Sequence, residues 1–209
     1  MMRDIVIVGT GGLAKDVKWI IDRINAIQKT WNLLGFIDKE ARQDVIGDDD
    51  FLCSYSKELD VVIAVGSPDI RKKLYSKYSS NINLCFPNVV DPSAIISASV
   101  TMGIGNIVCS YSVLTVDVTI GDFNIINIRS NIEHDSVIKD YVTVSPSVNV
   151  SGNVLIETEA YVGVGASIIQ GLNIGKNTVI GAGAVVIKNI PANCTVVGVP
   201  AKPINFLEE

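Results

Sequence analysis

Residues 132–173 read IEHDSV-IKDYVT-VSPSVN-VSGNVL-IETEAY-VGVGAS-IIQGLN, and each of these blocks of six opens on Ile or Val. The same spacing extends in both directions, from Ile96 to Val186, and every residue at this phase is Ile, Val, Leu or Met. This period is neither the period of about 3.6 residues of an α-helix nor the strict alternation of a half-buried strand. It predicts a parallel β-helix, in which three blocks form one coil of about 18 residues and the aliphatic side chains stack inside.

Residues 1–88 follow a different pattern, in which short apolar strands alternate with helices. The predicted elements are strands at Ile5–Val8, Leu33–Ile37 and Val61–Val65, a helix over Leu13–Asn25 and a helix through Arg71, Leu74 and Tyr78. This alternation predicts a small Rossmann-like parallel sheet. We therefore expect two domains, an α/β domain over 1–88 and the β-helix with its carboxyl-terminal cap over 89–209.

The carboxyl ends of the parallel strands form the edge where open α/β sheets bind their ligands. Gly11 and Gly12, after the first strand, leave backbone N–H groups open to a phosphate at a helix start. The same turn also fits a tight strand-to-helix connection with no ligand. Asp38, at the end of the second strand, can accept a hydrogen bond from a ribose or a base, or can cap its own loop. Gly66 follows the third strand, so these residues should converge.

The composition argues against several classes of function. The net charge is −5 and no basic run exceeds Arg71–Lys73, so general nucleic-acid binding is not expected. The apolar runs are far shorter than the ~20 residues of a membrane-spanning helix, and no leader segment opens the chain. We therefore expect no membrane insertion and a cytoplasmic location. The four cysteines form no Cys-x-x-Cys pair, and a three-imidazole site cannot be built within one chain that has a single histidine but would need three chains. We therefore expect no metal.

His134 carries the clearest catalytic signal. It lies two positions after the inward Ile132, so its side chain should point outward near a corner of the coil. Its imidazole can take a proton near neutral pH, and the carboxylates of Glu133 and Asp135 flank it. One coil further on stands Gly152, whose unobstructed N–H should lie roughly 4.8 Å away. A base beside such an amide suits acyl transfer, whereas the alternative is a solvated surface imidazole.

Several motifs make the chain similar to a known family. They are Gly66 followed by Ile70–Leu74, Asp91–Ala94, Ile132–His134, Ser151–Val154 and the closing Val197–Lys202. On these motifs the chain resembles the hexapeptide-repeat acyltransferases, which fold as a left-handed parallel β-helix. More narrowly, it looks like the sugar O- and N-acetyltransferases of the sialic-acid O-acetyltransferase and bacillosamine-pathway type. The resemblance covers essentially the whole chain.

The resemblance implies a role for each candidate residue. In that family the residue matching His134 is the general base, and the acid matching Asp135 raises its basicity. Acetyl-CoA, the co-substrate, lies along the solenoid between neighbouring subunits of a homotrimer. The positions matching the family's acetyl-CoA contacts are Thr143, Val164 and Ala182. The positions matching its nucleotide-sugar contacts are Gly11, Gly12, Leu13, Asp38, Lys39 and Gly66.

Two of these positions depart from the family pattern. Some members carry a second histidine where this chain has Thr143, so one acetyl-CoA contact is either lost or replaced by a hydroxyl. Other members carry a second acid where this chain has Lys39, which leaves the nucleotide preference open.

The sequence therefore predicts acetyl transfer from acetyl-CoA to the amino group of a nucleotide-linked amino sugar in surface-glycan biosynthesis. His134 would act as base and the Gly152 N–H as oxyanion donor. O-acetylation of a sialic-acid-like sugar, or of another small hydroxyl acceptor, by the same residues is the alternative. Two other classes remain: a nicotinamide oxidoreductase, which would leave the solenoid without a role, and a non-catalytic solenoid scaffold.

Overall fold

The amino-terminal part of the chain is a five-stranded parallel sheet; a computed structural model describes residues 2–206. The strands are β1 Arg3–Val8, β2 Trp31–Ile37, β3 Val45–Gly47, β4 Leu59–Ile63 and β5 Leu84–Cys85, and the helices are α1 Gly12–Ile27, α2 Asp49–Ser54 and α3 Pro68–Tyr78. They pair in the order β3-β2-β1-β4-β5, so the strand order reverses between β1 and β4. Sheets of this kind bind ligands beyond the carboxyl ends of the strands at the reversal.

The alternating side chains of β1 build a core on each face of this sheet. Ile5 and Ile7 pack with the apolar residues of α1, whereas Val6 and Val8 pack on the other face with the buried side chains of α2 and α3. Both faces are thus covered, as parallel sheets require.

The predicted strands and helices of this domain are confirmed, although the first two strands begin two residues earlier than predicted, at Arg3 and Trp31. The third predicted strand, Val61–Val65, is β4 and begins two residues earlier, at Leu59. A carboxylate inside the strand hid this start, because Asp60 is buried and accepts a hydrogen bond of 2.8 Å from Trp31 Nε1. The short elements β3, α2 and β5 were not predicted, since none is long enough to show a hydrophobic period.

From Val89 the chain coils into a parallel β-helix whose two-residue strands recur every six residues and form three faces. Face A consists of β6 Val89–Val90, β9 Ile107–Val108, β12 Ile125–Ile126, β15 Thr143–Val144, β18 Tyr161–Val162, β21 Val179–Ile180 and β23 Cys194–Val197. Face B consists of β7 Ile95–Ile96, β10 Val113–Leu114, β13 Asn131–Ile132, β16 Asn149–Val150, β19 Ser167–Ile168 and β22 Val185–Val186. Face C consists of β8 Thr101–Met102, β11 Thr119–Ile120, β14 Val137–Ile138, β17 Leu155–Ile156 and β20 Asn173–Ile174. A last strand, β24 Lys202–Phe206, pairs antiparallel with β23.

The second residue of each solenoid strand points inward, and these aliphatic side chains form one continuous core. Each strand pairs with the strand one coil further on, as Ile120 does with Ile138 and Ile138 with Ile156. The predicted unbroken period from 96 to 186 is confirmed. Beyond it the coil tightens, because Ile180 pairs with Val196.

The sheet domain sits on face A. The outward residues Val89, Ile107 and Ile125 of this face are buried in the same apolar cluster as α1. An ion pair of 3.3 Å between Arg23 Nε of α1 and the buried Asp91 Oδ2 ties the helix to the first coil. In a three-sided prism, the edge between faces B and C lies opposite face A, so this B/C edge points away from the sheet domain.

Among residues 2–206, no helix combines the length and the apolarity that crossing a bilayer requires.

Candidate active site

The first part of the candidate site lies at the carboxyl edge of the sheet, where β1 turns into α1. Gly9 ends β1 with a left-handed φ of +100°, and a Cβ there would lie 3.2 Å from the Ala64 carbonyl oxygen. Gly11 and Gly12 precede and begin α1, and a Cβ at either position would meet no heavy atom within 4 Å. No side-chain cap from Gly11 covers the first N–H groups of the helix. The turn is open to an anion.

Asp38 lies beside this turn and is held by Thr10. The Thr10 hydroxyl donates a hydrogen bond of 2.6 Å to Asp38 Oδ2, and the Glu40 N–H donates one of 3.2 Å to Oδ1. The hydrogen bond from Thr10 lowers the pKa of Asp38, so the carboxyl is an ionised acceptor at neutral pH. Lys39 is exposed next to it.

A cavity of about 290 Å³ opens next to Thr10 and carries positive charge. Lys15, Lys18 and Arg42 line it, and the sequence analysis did not single them out. The sequence feature that could have pointed to the two lysines is their place in the first turns of a helix that follows a glycine turn. Leu13, in contrast, is half-buried against the core of the sheet domain.

The second part of the candidate site is His134, on the B/C edge of the solenoid. Its side chain is 57% exposed, and Nδ1 lies 2.8 Å from Asp135 Oδ2. A carboxylate oxygen only accepts, so Nδ1 carries the proton of this hydrogen bond and Nε2 is left as the free basic nitrogen. Asp135 has a left-handed φ of 60°, as do Asp117 and Asn153 at the same corner of the neighbouring coils. Asp and Asn tolerate this conformation well.

The imidazole of His134 lies directly against Gly152. A Cβ at position 152 would be 2.4 Å from His134 Cε1 and 2.5 Å from Nε2, so only glycine leaves room for the ring. The Asn153 N–H donates a hydrogen bond of 2.7 Å to the His134 carbonyl oxygen, which fixes the two coils in register. Within residues 2–206 the N–H of Gly152 has no acceptor. A basic nitrogen and a free amide are thus neighbours on an exposed corner.

A buried serine, which the sequence analysis did not single out, supports this corner from inside. The Ser136 hydroxyl donates 3.1 Å to the Ser151 carbonyl oxygen and accepts 3.1 Å from the Val154 N–H. It therefore ties together the residues on either side of Gly152. The small residue in each six-residue block is the sequence signal for this role.

Val164 and Ala182 lie at the edge between faces A and B. Both side chains are exposed, and the Gly183 N–H donates 2.8 Å to the Val164 carbonyl oxygen, so the two positions stack one coil apart. Gly165 and Gly183, the next residue in each coil, have no heavy atom near a prospective Cβ. The column is therefore an open strip along the solenoid.

The structure does not bring Thr143 to this strip. Thr143 is buried on face A, where its hydroxyl donates 2.8 Å to the Gly66 carbonyl oxygen and accepts 3.1 Å from Arg71 Nη2. Gly66 thus meets the solenoid through its carbonyl. Arg71 lies on the same face of α3 as Leu74, Tyr75 and Tyr78. This helical spacing is the feature of the sequence that could have indicated its inward position.

The parts of the candidate site are not adjacent within one chain. The sheet edge with Gly11 and Asp38 belongs to the domain on face A, whereas His134 lies on the opposite edge. Within residues 2–206, no three His, Cys, Asp or Glu side chains cluster in a way that could hold a metal ion.

Comparisons with known proteins find similar structures that align with nearly the whole chain. Residues 4–78 match the PglD N-terminal domain. A variant of perosamine N-acetyltransferase from Caulobacter crescentus, in complex with CoA and GDP-perosamine, is 31% identical over 98% of each chain, with a TM-score of 0.88. The acetyltransferase domain of PglB from Neisseria gonorrhoeae, in complex with acetyl coenzyme A, is 30% identical over 98% of this chain and 100% of its own, with a TM-score of 0.90.

WeeI from Acinetobacter baumannii is 32% identical over 98% of this chain and 100% of its own, with a TM-score of 0.84. No curated protein matches the sequence. The fold is the left-handed parallel β-helix preceded by a Rossmann-like sheet, and the chain is an acyltransferase of the hexapeptide-repeat class. It belongs to the sugar N-acetyltransferases of that class, with the PglD type of amino-terminal domain.

We expect Thr10→Val to raise the pKa of Asp38, because the carboxylate loses the hydrogen bond that favours its ionised form. An NMR titration of the Asp38 carboxyl carbon measures this directly. Thr30→Val is the matched control, since the Thr30 hydroxyl bonds only to the Gln28 carbonyl oxygen and should leave Asp38 unchanged. An unchanged Asp38 titration in Thr10→Val would contradict the geometry described for this edge.

Proposed function

We propose that this enzyme transfers the acetyl group of acetyl-CoA to the amino group of a nucleotide-linked amino sugar. The observation that carries the proposal is the His134 imidazole lying against Gly152, whose N–H has no acceptor among residues 2–206. The related structures support it, since one binds CoA with GDP-perosamine and another binds acetyl-CoA. A cytoplasmic location is part of the same proposal.

His134 acts as the general base. Nε2, opposite the nitrogen that bonds to Asp135, takes the proton that the acceptor amine loses as it attacks the thioester carbonyl carbon. The Gly152 N–H donates to the oxygen of that carbonyl as negative charge develops on it. The protonated His134 then gives this proton to the leaving sulfur, and coenzyme A departs as the thiol, so one N–C bond forms and one C–S bond breaks.

Asp135 has two roles in this scheme. Its carboxylate orients the imidazole and stabilises the positive charge that the ring gains when it takes the proton. Its backbone also makes the left-handed corner that points His134 outward. Asn satisfies the second role without the first, because it tolerates the same φ and Asn153 fills this corner one coil further on.

Acetyl-CoA supplies the acetyl group as a thioester, and the strip at Val164 and Ala182 is its proposed binding surface. The two side chains stack one coil apart and Gly165 and Gly183 leave the strip open, so an extended pantetheine chain fits along it. The acceptor's nucleotide is proposed to bind at the sheet edge, with its diphosphate on the N–H groups of Gly11 and Gly12. Asp38, Lys39, Leu13 and Gly66 complete this proposed contact surface.

We propose that the enzyme is a homotrimer, and the positions of these parts support this. An acceptor on the sheet edge of one chain faces away from the His134 of that chain, because the B/C edge is opposite face A. A neighbouring chain can bring its B/C edge to the A/B edge of the first, where Val164 and Ala182 lie. Repeated around a three-fold axis, this heterologous contact closes on itself and gives three equivalent sites.

We expect the trimer to show in the mass of the assembly and in complementation between two impaired variants, assayed with the acceptor well below its wild-type KM. Light scattering should give three times the 22.4 kDa of the chain. Co-expression of His134→Ala with Gly11→Val should restore about a quarter of the wild-type activity, because a quarter of randomly formed sites combine an intact sheet edge with an intact neighbouring histidine. A stable monomer, or no recovery on co-expression, would overturn the shared site.

His134→Ala should lower kcat for acetylation of a nucleotide-linked amino sugar by about 10² to 10⁴, with the KM for acetyl-CoA nearly unchanged, because general-base catalysis is lost. To separate N- from O-acetylation, thiol release by the wild-type enzyme is measured with the amino sugar and with the matched sugar that has a hydroxyl in place of the amine. Asp135→Asn is the graded control and should cost less, since it keeps the corner and the base. More than about half of wild-type kcat in His134→Ala would refute the assignment.

Gly11→Val should raise the KM for the nucleotide-sugar acceptor about tenfold or more and leave the KM for acetyl-CoA unchanged. The protein should fold normally, because Gly11 has a φ of −72° and a Cβ there would meet no heavy atom within 4 Å. Steady-state kinetics with each substrate varied in turn, together with the thermal unfolding midpoint, tests this. If the acceptor KM stays the same in the folded variant, the sheet edge has another role.

A further inference from the structure

Arg71 is a fully buried cation that has no carboxylate partner among residues 2–206. It is 1% exposed, and all its guanidinium nitrogens donate hydrogen bonds to oxygens of carbonyls and one hydroxyl. Nε donates 2.7 Å to the Phe123 carbonyl oxygen, and Nη1 donates 2.7 Å to that of Val65. Nη2 donates 2.9 Å to the Tyr141 carbonyl oxygen. Burial lowers the pKa of Arg71 to about 9, so the group is still protonated at neutral pH.

These hydrogen bonds join two separate parts of the molecule. Val65 and Gly66 belong to the loop between β4 and α3, whereas Phe123, Tyr141 and Thr143 belong to two successive coils of the solenoid. A buried cation without a counter-ion is costly, and an apolar side chain would pack at least as well. What the guanidinium adds is direction, because its donors form a rigid planar fork that fixes the acceptors around it.

The loop that Arg71 holds forms one wall of a cleft. Gly66 receives two hydrogen bonds on its carbonyl oxygen, 2.8 Å from Thr143 Oγ1 and 3.2 Å from Arg71 Nη1. The cleft, about 530 Å³, lies between residues 66–69 and the outer surface of the solenoid at Tyr161 and Val179. Tyr161 is the residue that pairs with Thr143 one coil further on, so the cleft opens directly above the Thr143 hydroxyl.

Helix α3 makes other contacts with the solenoid besides those of Arg71. Lys72 pairs with Glu159 of the solenoid, and Tyr75 packs on Phe123 with ring centroids 4.2 Å apart. These contacts keep the helix on face A, and Val65 packs in the same apolar cluster as Tyr75 and Phe123. The directed contacts of the Gly66 loop are the hydrogen bonds that its carbonyl oxygens accept from Arg71 and from the Thr143 hydroxyl.

We propose that Arg71 and Thr143 are positioning residues for the acceptor, which hold the Gly66 loop at a fixed place on the solenoid. The inference rests on the proposed function, in which Gly66 contacts the nucleotide sugar. In the proposed trimer His134 of a neighbouring solenoid acts on the acceptor. The position of the Gly66 loop on its own solenoid therefore sets the distance and orientation of the bound acceptor relative to that histidine. Thr143 thereby serves the acceptor side of the reaction, in place of the acetyl-CoA contact that the family resemblance implied for this position.

Thr143→Val tests the proposal, because it keeps the shape of the side chain and removes only the hydroxyl. Arg71 retains its carbonyl partners, so the variant should fold. We expect the acceptor KM to rise about two- to tenfold, as the loss of one hydrogen bond would give, with the KM for acetyl-CoA unchanged. Amide hydrogen exchange of residues 65–67 and of Asp69 should rise by a similar factor. Arg71→Lys, which keeps the charge but loses the fork, should change the same quantities further.

Thr119→Val is the matched control, since Thr119 occupies the same place in its strand but lies exposed on face C. It should alter neither the kinetics nor the exchange of the loop. A rise in the KM for acetyl-CoA alone in Thr143→Val would overturn the proposal and make Thr143 a contact of that substrate. Unchanged loop exchange, or a loss of active enzyme with both KM values unchanged, would also overturn it. Hydrogen exchange of the loop can be measured without any acceptor, so it tests the role of Thr143 separately from the proposed function. If no amino sugar is acetylated, the proposed function is refuted, whatever the exchange result.

Discussion

The inward stack of aliphatic side chains fixes the position of nearly every other residue between 89 and 186. Each coil must return the same phase of the backbone to the same place, because the ladder hydrogen bonds between coils and the packed core both depend on it. Residues one coil apart therefore form columns. His134 above Gly152, Val164 above Ala182, and Thr143 above Tyr161 are all consequences of that one constraint.

The corners of the coils are where this constraint leaves freedom for chemistry. Strand residues are committed to the ladder, but the corner at Gly152 leaves an amide without an acceptor in the described chain. Glycine at a corner also lets an aromatic ring from an adjacent coil lie flat on the backbone. Gly105 does the same for the structural ring of Phe123, where a Cβ would be 2.4 Å from that ring. A corner glycine packed against a ring of an adjacent coil thus occurs twice, once at the domain interface and once at the candidate catalytic base.

The sheet domain and the solenoid divide the work between them. The sheet provides an open helix start, an ionised Asp38 and nearby cations, which suit the anionic nucleotide part of an acceptor. The solenoid provides the base, the amide and the strip proposed for acetyl-CoA. Their attachment combines an apolar cluster around Ile107 with the directed hydrogen bonds of Arg71. Apolar packing alone holds two surfaces together with little control over angle, and a rigid fork supplies that control.

The sequence by itself determined the solenoid, its coil length and the pairing of His134 with Gly152, because a strict six-residue period fixes which residues stack. It also placed Gly11, Asp38 and Gly66 near one edge, because parallel strands all end on the same side. Only the tertiary structure showed that Asp60 is buried and which groups bind the guanidinium of Arg71. Their partners are Trp31, Phe123 and Tyr141, and no local pattern encodes pairings at such sequence distances. The tertiary structure alone also gave Thr143 its partners and set His134 on the edge opposite the sheet domain, because domain placement depends on the packing of face A against α1.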